Sequence, residues 1–433
     1  MFFSPTKHQI SSTADGRVCD DCGWLLDFPN AEKPGLIRAI YEKKQLEVRE
    51  DLPGLYRYAD WLPIKRILQG ASCPVTYRSE RLANRLRLSN LYITFNGWNP
   101  SVGATMRTCS FKETEAYTVC ARLGENQRDE VMVVSSAGNT ARAFAQVCSD
   151  NNIKLLLTVP EGNISALWFE KPLNPCVKLL CTESGSDYFD AINLGNIICE
   201  LDGFFAEGGA KNIARRDGMS TTMLSATTFI GHIPDFYFQA VGSGTGAIAA
   251  WEANLRFIGD GRFGNNKAKL YVSQNKPFTP MYDAWKQHSR ALLPYDAEQA
   301  RDDASAIYAK VLSNRKPPYS LCGGLFDAMQ DTNGEFFAVT NEEAKNAGGL
   351  FEELEGIDIH PAAAVATASL IQAVENKQVK ADDIVMLNIT GGGEKLFKST
   401  HKITYLKPDH VFSVNATKDE IKDYVSKLKW KKT

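Results

Sequence analysis

The sequence predicts an α/β protein of two doubly wound domains with mainly parallel sheets, meeting at a crevice. Three observations predict it. Apolar β-branched runs alternate with helical patterns from Leu91 to about Gly208; a second alternation runs from Phe236 to Ile389; and small-residue or glycine-rich turns follow several of the strands. In such sheets ligands gather beyond the carboxyl ends of the strands, so those turns are where function is expected.

In chain order, residues 1–25 read as an extension with one compact feature, Cys19-Asp20-Asp21-Cys22-Gly23. One such pair is half a zinc ribbon, and without a second pair no metal is expected. Leu36 to about Arg85 mixes short helices with turns such as Asp51-Leu52-Pro53-Gly54, and Leu91–Phe95 is a strand. The polar loop from Asn96 to Thr108 is long enough to cover a site. Strands then follow at Glu130–Ser135, Lys154–Val159 and Val177–Cys181, with helices at Asn139–Cys148 and Asp187–Leu201. Glu207-Gly208-Gly209 reads as an interdomain joint, followed by a helix from about Arg215 to Ile230. The second alternating unit contains strand Phe236–Val241, helix Ala247–Phe257, strand Lys269–Ser273, a helical region Ala297–Ser313 and strand Phe336–Val339. Helices Asn341–Leu354 and Pro361–Glu375 and strand Ile384–Ile389 complete it. The division expected is therefore a small domain over 96–208 and a large domain from 26–95 with 209–433.

Composition limits the partners. The 433 residues are 44% hydrophobic, enough for two cores, and the net charge of -2 gives no case for nucleic acid. No run approaches the length of a membrane span and the start has no signal-peptide core, so a cytoplasmic protein acting on small molecules is expected. Cys109, Cys148, Cys181 and Cys199, among ten cysteines, fall in apolar or helical patterns and read as reduced thiols.

The chemistry concentrates in three turns and one lysine. Val133-Val134-Ser135-Ser136-Ala137-Gly138-Asn139-Thr140 is a strand, a small polar loop and a helix start, which suits an anionic group such as a carboxylate. Just upstream lies Ser110-Phe111-Lys112-Glu113. A lysine amine in a partly apolar cleft beside an anion cradle is what holds an aldehyde cofactor as a Schiff base, and pyridoxal phosphate is the candidate. Its phosphate needs a separate cradle, and Gly242-Ser243-Gly244-Thr245-Gly246, between a strand and a helix, provides one. A dinucleotide fits poorly, because the third glycine comes one position early and strand Lys269–Ser273 leads into Ser273-Gln274-Asn275 without an acidic residue. The last strand delivers Thr390-Gly391-Gly392-Gly393. A hydroxyl there, facing a pyridine nitrogen, makes a weaker electron sink than a carboxylate would, which favours elimination and replacement at the β-carbon.

These residues resemble a family. Asn99-Pro100 with Ser110-Phe111-Lys112, Ser136-Ala137-Gly138-Asn139-Thr140 and Gly242-Ser243-Gly244-Thr245-Gly246 look like the tryptophan-synthase-β superfamily, the fold type II pyridoxal-phosphate enzymes. Within it the blocks Thr108–Glu113, Phe204–Gly218, Tyr237–Gly246 and Asn314–Ser320 are similar to the threonine synthases and, more narrowly, the cysteate synthases. The resemblance implies a cofactor in the interdomain crevice and conversion of O-phospho-L-serine and sulfite to L-cysteate and phosphate, with a homodimer or higher homo-oligomer as the usual assembly. It also implies roles: Lys112 joined to the cofactor, Asn139 at its phenolic oxygen, Gly242, Ser243, Gly244, Thr245 and Gly246 at its phosphate, Thr390 at its pyridine nitrogen, and Ser136, Ala137 and Thr140 at the substrate carboxylate. The family's compact loop before the lysine is expanded here by Ser101 to Cys109, and Glu113 replaces an aspartate, so substrate contacts in that loop do not carry over. Two anions must be held near the β-carbon, and Arg107, Lys211, Arg215 and Arg216 are the available cations. Threonine synthase, acting on O-phosphohomoserine and water, is the alternative enzyme. A pyridoxal-phosphate or amino-acid sensor is the non-enzymatic one.

Overall fold

The computed structural model describes residues 3–430 except 125, 126, 128, 137, 187 and 316. Its larger sheet has six strands in the spatial order Glu335–Val339, Lys269–Asn275, Phe236–Ala240, Ile384–Ile389, Asn90–Phe95 and Val75–Arg78. All are parallel except the last, which pairs antiparallel at the edge. The smaller sheet has five parallel strands in the order Phe204–Ala206, Val131–Ser135, Leu155–Pro160, Val177–Thr182 and His410–Phe412. The central strands are near-continuous apolar runs, and Leu155 to Pro160 is buried at every position. Such runs suit a parallel sheet covered by helices on both faces. Among the described residues no helix is long and apolar enough to cross a membrane.

Three features differ from the sequence reading. The first residues are not a loose extension: His8–Ser12 and Val18–Asp20 form an antiparallel sheet with Ile37–Tyr41. Cys19 lies on its second strand and Cys22 is exposed, and no group of three or more metal-ligating side chains occurs among the described residues. The residue between them that matters to the fold is Asp21. Its nearly buried carboxylate takes the fully buried Arg122 at 3.0 Å and His8 at 2.9 Å.

The helical region expected over Ala297–Ser313 is interrupted. Helix Ala297–Ala306 stops, and a single 3-10 turn follows at Lys310–Leu312. Two amides from neighbouring segments capture the intervening backbone: Asn341 Oδ1 accepts from Tyr308 N at 2.7 Å and Asn275 Oδ1 accepts from Ala309 N at 2.9 Å. With their N–H groups committed sideways, these residues cannot continue the helix. The turn is thereby delivered against Gly242.

The chain also returns to the smaller lobe at its end. His410–Phe412 pairs with Val177–Thr182, and Ile421 and Val425 of helix Lys418–Ser426 pack in one cluster with Leu194, Ile197 and Ile198. A three-residue strand carries no periodic signal, so the linear reading left this segment with the large domain.

The Asp21–Arg122 pair has a stability consequence. Burial raises the Asp21 pKa, but His8 and Arg122 outweigh it and hold it below the usual carboxylate value. Asp21→Ala leaves Arg122 buried without its counter-charge and should cost about 3–5 kcal/mol, read as a shift in the denaturant midpoint. A depressed carboxylate pKa contributes stability above its unfolded value of about 3.9 and loses it as pH falls through the folded value, so the deficit should shrink on acidification.

Candidate active site

The lysine reaches the end of the large sheet through backbone bonds. Phe111 N donates to Thr390 O at 3.0 Å, Gly392 N donates to Cys109 O at 3.1 Å, and Ser110 bridges Gly391. This fixes the entry of helix Lys112–Arg122 against strand Ile384–Ile389, although the two segments are far apart in sequence. The approach is close enough to require glycine. A Cβ on Gly391 would lie 2.3 Å from His360 Nδ1 and 2.8 Å from Cys109 O, and Gly393 has φ +75° with Trp98 O only 1.8 Å from where its Cβ would be.

Beyond these strand ends lies a cavity of about 690 Å³ between the lobes. It brings together Lys112, Ser136, Asn139, Thr140, the Gly242–Gly246 turn and Thr390, all singled out from sequence. Ala137 lies outside the described residues. The Lys112 amine is 3.3 Å from Glu115 Oε2 and 4.6 Å from the centre of the Phe111 ring. Burial lowers its pKa, Glu115 pulls it up and Arg215 pushes it down, for a net position below the ordinary lysine value. More of this buried amine is therefore uncharged, and available as a nucleophile, than in a solvated lysine.

The rest of the cavity wall is built of directed donors. Asn139, at the start of helix Asn139–Asp150, accepts from Arg142 Nη2 at 2.9 Å through Oδ1. An arginine can only donate, so the Asn139 oxygen is committed and its NH2 is what the amide has left to offer. Helix Thr245–Asp260 begins at Gly244, φ +80°, which has no side chain to cap it, and of its first N–H groups Thr245 N reaches Ser243 Oγ at 3.4 Å. Ser243 and Thr245 hydroxyls stand 2.8 Å apart at that end. Helix-start N–H groups, two hydroxyls and the positive end of the helix form an anion cradle of the kind a phosphate needs. The glycines also answer to packing: a Cβ on Gly242 would sit 2.9 Å from Val311 O, and one on Gly246 2.7 Å from Gln239 Nε2. A lysine, a helix start, a donor amide and a hydroxyl thus face one volume, and this set fits pyridoxal phosphate.

Of the four cations considered, Arg215 alone lines the cavity among the described residues. Arg107 is held by Asp150 and by Glu170 at 2.7 Å, Lys211 by Asp27 at 2.7 Å, and Arg216 is buried against Glu252 at 3.1 Å. Their carboxylate partners lie far off in sequence and gave no local signal. Arg215 is itself set between two carboxylates: Nε donates to Glu115 Oε2 at 3.1 Å and Nη1 to Glu207 Oε2 at 2.7 Å. Burial raises the Glu207 pKa, with Arg215 opposing it. Sequence reasoning missed Glu115, Glu207, Tyr188, Lys310 and His360. Glu115, one helical turn after Lys112, could have been found from its spacing alone. Lys310 could not, because the turn that presents it exists only through the captured backbone at Tyr308 and Ala309.

A family described as pyridoxal-phosphate dependent enzymes matches residues 77–391. The chain belongs to this family. Among curated members, this pyridoxal-phosphate-dependent enzyme is 48% identical over 390 residues to the cysteate synthase of Methanosarcina mazei, covering 89% of this chain and 93% of that one. It is 48% identical over 384 residues to the cysteate synthase of Methanocorpusculum labreanum, covering 88% and 92%. Solved structures share the fold at low identity. Maize serine racemase matches with TM-score 0.57 and 14% identity over 76% of this chain and 91% of that one, and tomato threonine deaminase isoform 2 with TM-score 0.56 and 19% identity over 76% and 82%. The fold type II α/β architecture expected from the motifs is thus the one these relatives have.

The clamp around the lysine can be tested without any assay of turnover. Gly391→Ala forces its methyl group into His360 and Cys109 O, and should cost about 1–3 kcal/mol in thermal unfolding. A melting temperature equal to that of the unsubstituted chain would show that the two segments are free to separate.

Proposed function

We propose that this protein is a β-replacement enzyme that converts O-phospho-L-serine and sulfite to L-cysteate and phosphate. The observation that carries the reading is the likeness to cysteate synthases along nearly their whole length, joined to a cavity in which Lys112 and Arg215 face the same volume. Pyridoxal phosphate, when bound, supplies the electron sink that makes the substrate α-proton acidic. Lys112 would hold its aldehyde, Asn139 would donate to its phenolic oxygen, Gly242, Ser243, Gly244, Thr245 and Gly246 would bind its phosphate, and Thr390 would face its pyridine nitrogen.

The remaining work falls to this chain's own side chains. Ser136 and Thr140 would hold the substrate carboxylate, which fixes the α-carbon over Lys112. Once released by substrate, Lys112 Nζ takes the α-proton and later returns it, being the base already within reach. Phosphate leaves the β-carbon and the sulfur of sulfite bonds to the same carbon, so one anion replaces another. Arg215 is the cation suited to both, with Lys310, which also lines the cavity, as a second. Glu115 and Glu207 keep the Arg215 guanidinium in place, and a fixed donor costs less to organise than a mobile one.

Incubation with phosphoserine and sulfite should give cysteate and one equivalent of phosphate, while phosphohomoserine with water should give no threonine. Threonine from the second mixture and no cysteate from the first would reject the assignment. Lys112→Ala should abolish turnover and the visible absorbance of the loaded protein together. Thr390→Asp should divert product formation toward transamination or stop it, by protonating the pyridine nitrogen. Unchanged cysteate formation in that variant would remove Thr390 from its role.

A further inference from the structure

The charged group beside Lys112 has one member, so far used only to hold Arg215, that also reaches the lysine nitrogen. Glu115 is fully buried on the same helix, and its two oxygens are divided among three side chains. Oε2 is shared by Lys112 Nζ at 3.3 Å and Arg215 Nε at 3.1 Å, and Oε1 accepts from Thr140 Oγ1 at 2.9 Å. A buried carboxylate is costly unless nearby donors offset it, and here the donors come from three different helices at the cavity wall. We propose, resting on the reading of Lys112 as the residue joined to the cofactor, that Glu115 is a positioning residue that favours a proton at Lys112 Nζ and ties that nitrogen to Arg215.

The charges around Lys112 Nζ do not all act the same way. Arg215, from helix Ile213–Ile230, disfavours a second positive charge, and burial does the same. Glu207, from the turn before that helix, favours one, but it is partly spent on Arg215 and burial works against its ionisation. Among the described residues, Tyr188, from helix Tyr188–Ile198, and His360 and Lys310 from the larger lobe are the other titratable groups at the wall. Among the described residues, Glu115 is the acid within hydrogen-bonding reach of the nitrogen itself. Its geometry also explains why a helix that must bury its face keeps Glu at this position: an apolar residue would leave Lys112, Arg215 and Thr140 each short of an acceptor.

The full chain loaded with pyridoxal 5'-phosphate gives a direct readout. Borohydride trapping and peptide mass spectrometry locate the pyridoxyl group, and a pH titration of the visible absorbance reports the proton at the Lys112 nitrogen. Removing the negative charge by Glu115→Gln should lower the midpoint of that titration by about one pH unit or more. Glu115→Asp, which draws the carboxylate back by one methylene, should move it less in the same direction, and carries the test if the Gln variant does not fold. A merely structural role would lower the melting temperature or cofactor content and leave the midpoint where it was. An unmoved or raised midpoint with the pyridoxyl group on Lys112 overturns the role of Glu115. An unsubstituted chain that traps no pyridoxyl group on Lys112 overturns the reading beneath it.

Discussion

Everything in the crevice depends on a short run of backbone hydrogen bonds between Cys109–Phe111 and Thr390–Gly392. Without it, the amine of one segment and the hydroxyl of the other would have no fixed separation. Side chains alone could not supply that constraint, because Lys112 has several rotatable bonds and would roam the cavity. A main-chain pairing instead fixes the start of its helix against the strand end, and glycines on the facing segment permit the contact. The Lys112 nitrogen is thus positioned by the sheet and only oriented by its neighbours.

Electrostatics forms the second level. The cavity concentrates Lys112, Arg215, Glu115 and Glu207 in a small buried volume, an arrangement that costs desolvation energy wherever it occurs. What offsets the cost is mutual pairing, each cation touching at least one carboxylate. The result is a guanidinium that stays charged and stays put, each of its three nitrogens held by Glu115, Glu207 or Thr140. By contrast, Arg107 and Arg216 spend their charge on holding elements together, and their carboxylate partners meet them from other parts of the chain.

Much of this was legible in the sequence because parallel sheets announce themselves. Continuous apolar strands such as Leu155–Pro160 and turns such as Gly242–Gly246 are local patterns, and each marks a place where an α/β fold puts ligands. The lysine, the amide, the glycine turn and the last-strand threonine were readable for that reason. What was not readable depends on long-range partners. Whether a cation is a ligand or a brace is decided by carboxylates tens to hundreds of residues away, as Arg107 and Lys211 illustrate. The end of helix Ala297–Ala306 was hidden for the same reason, since amides from two other segments stop it. The pairing of Val18–Asp20 and of His410–Phe412 was hidden by brevity, three residues being too few for alternation to register.

The late strand His410–Phe412 also sets an order of assembly. It closes one edge of a sheet whose other members are made more than two hundred residues earlier. During synthesis, Val177–Thr182 must wait with an open flank of peptide groups until that distant segment emerges, and contacts of such long sequence separation form slowly. The smaller sheet therefore gains its last edge only after every strand of the larger sheet has already been made.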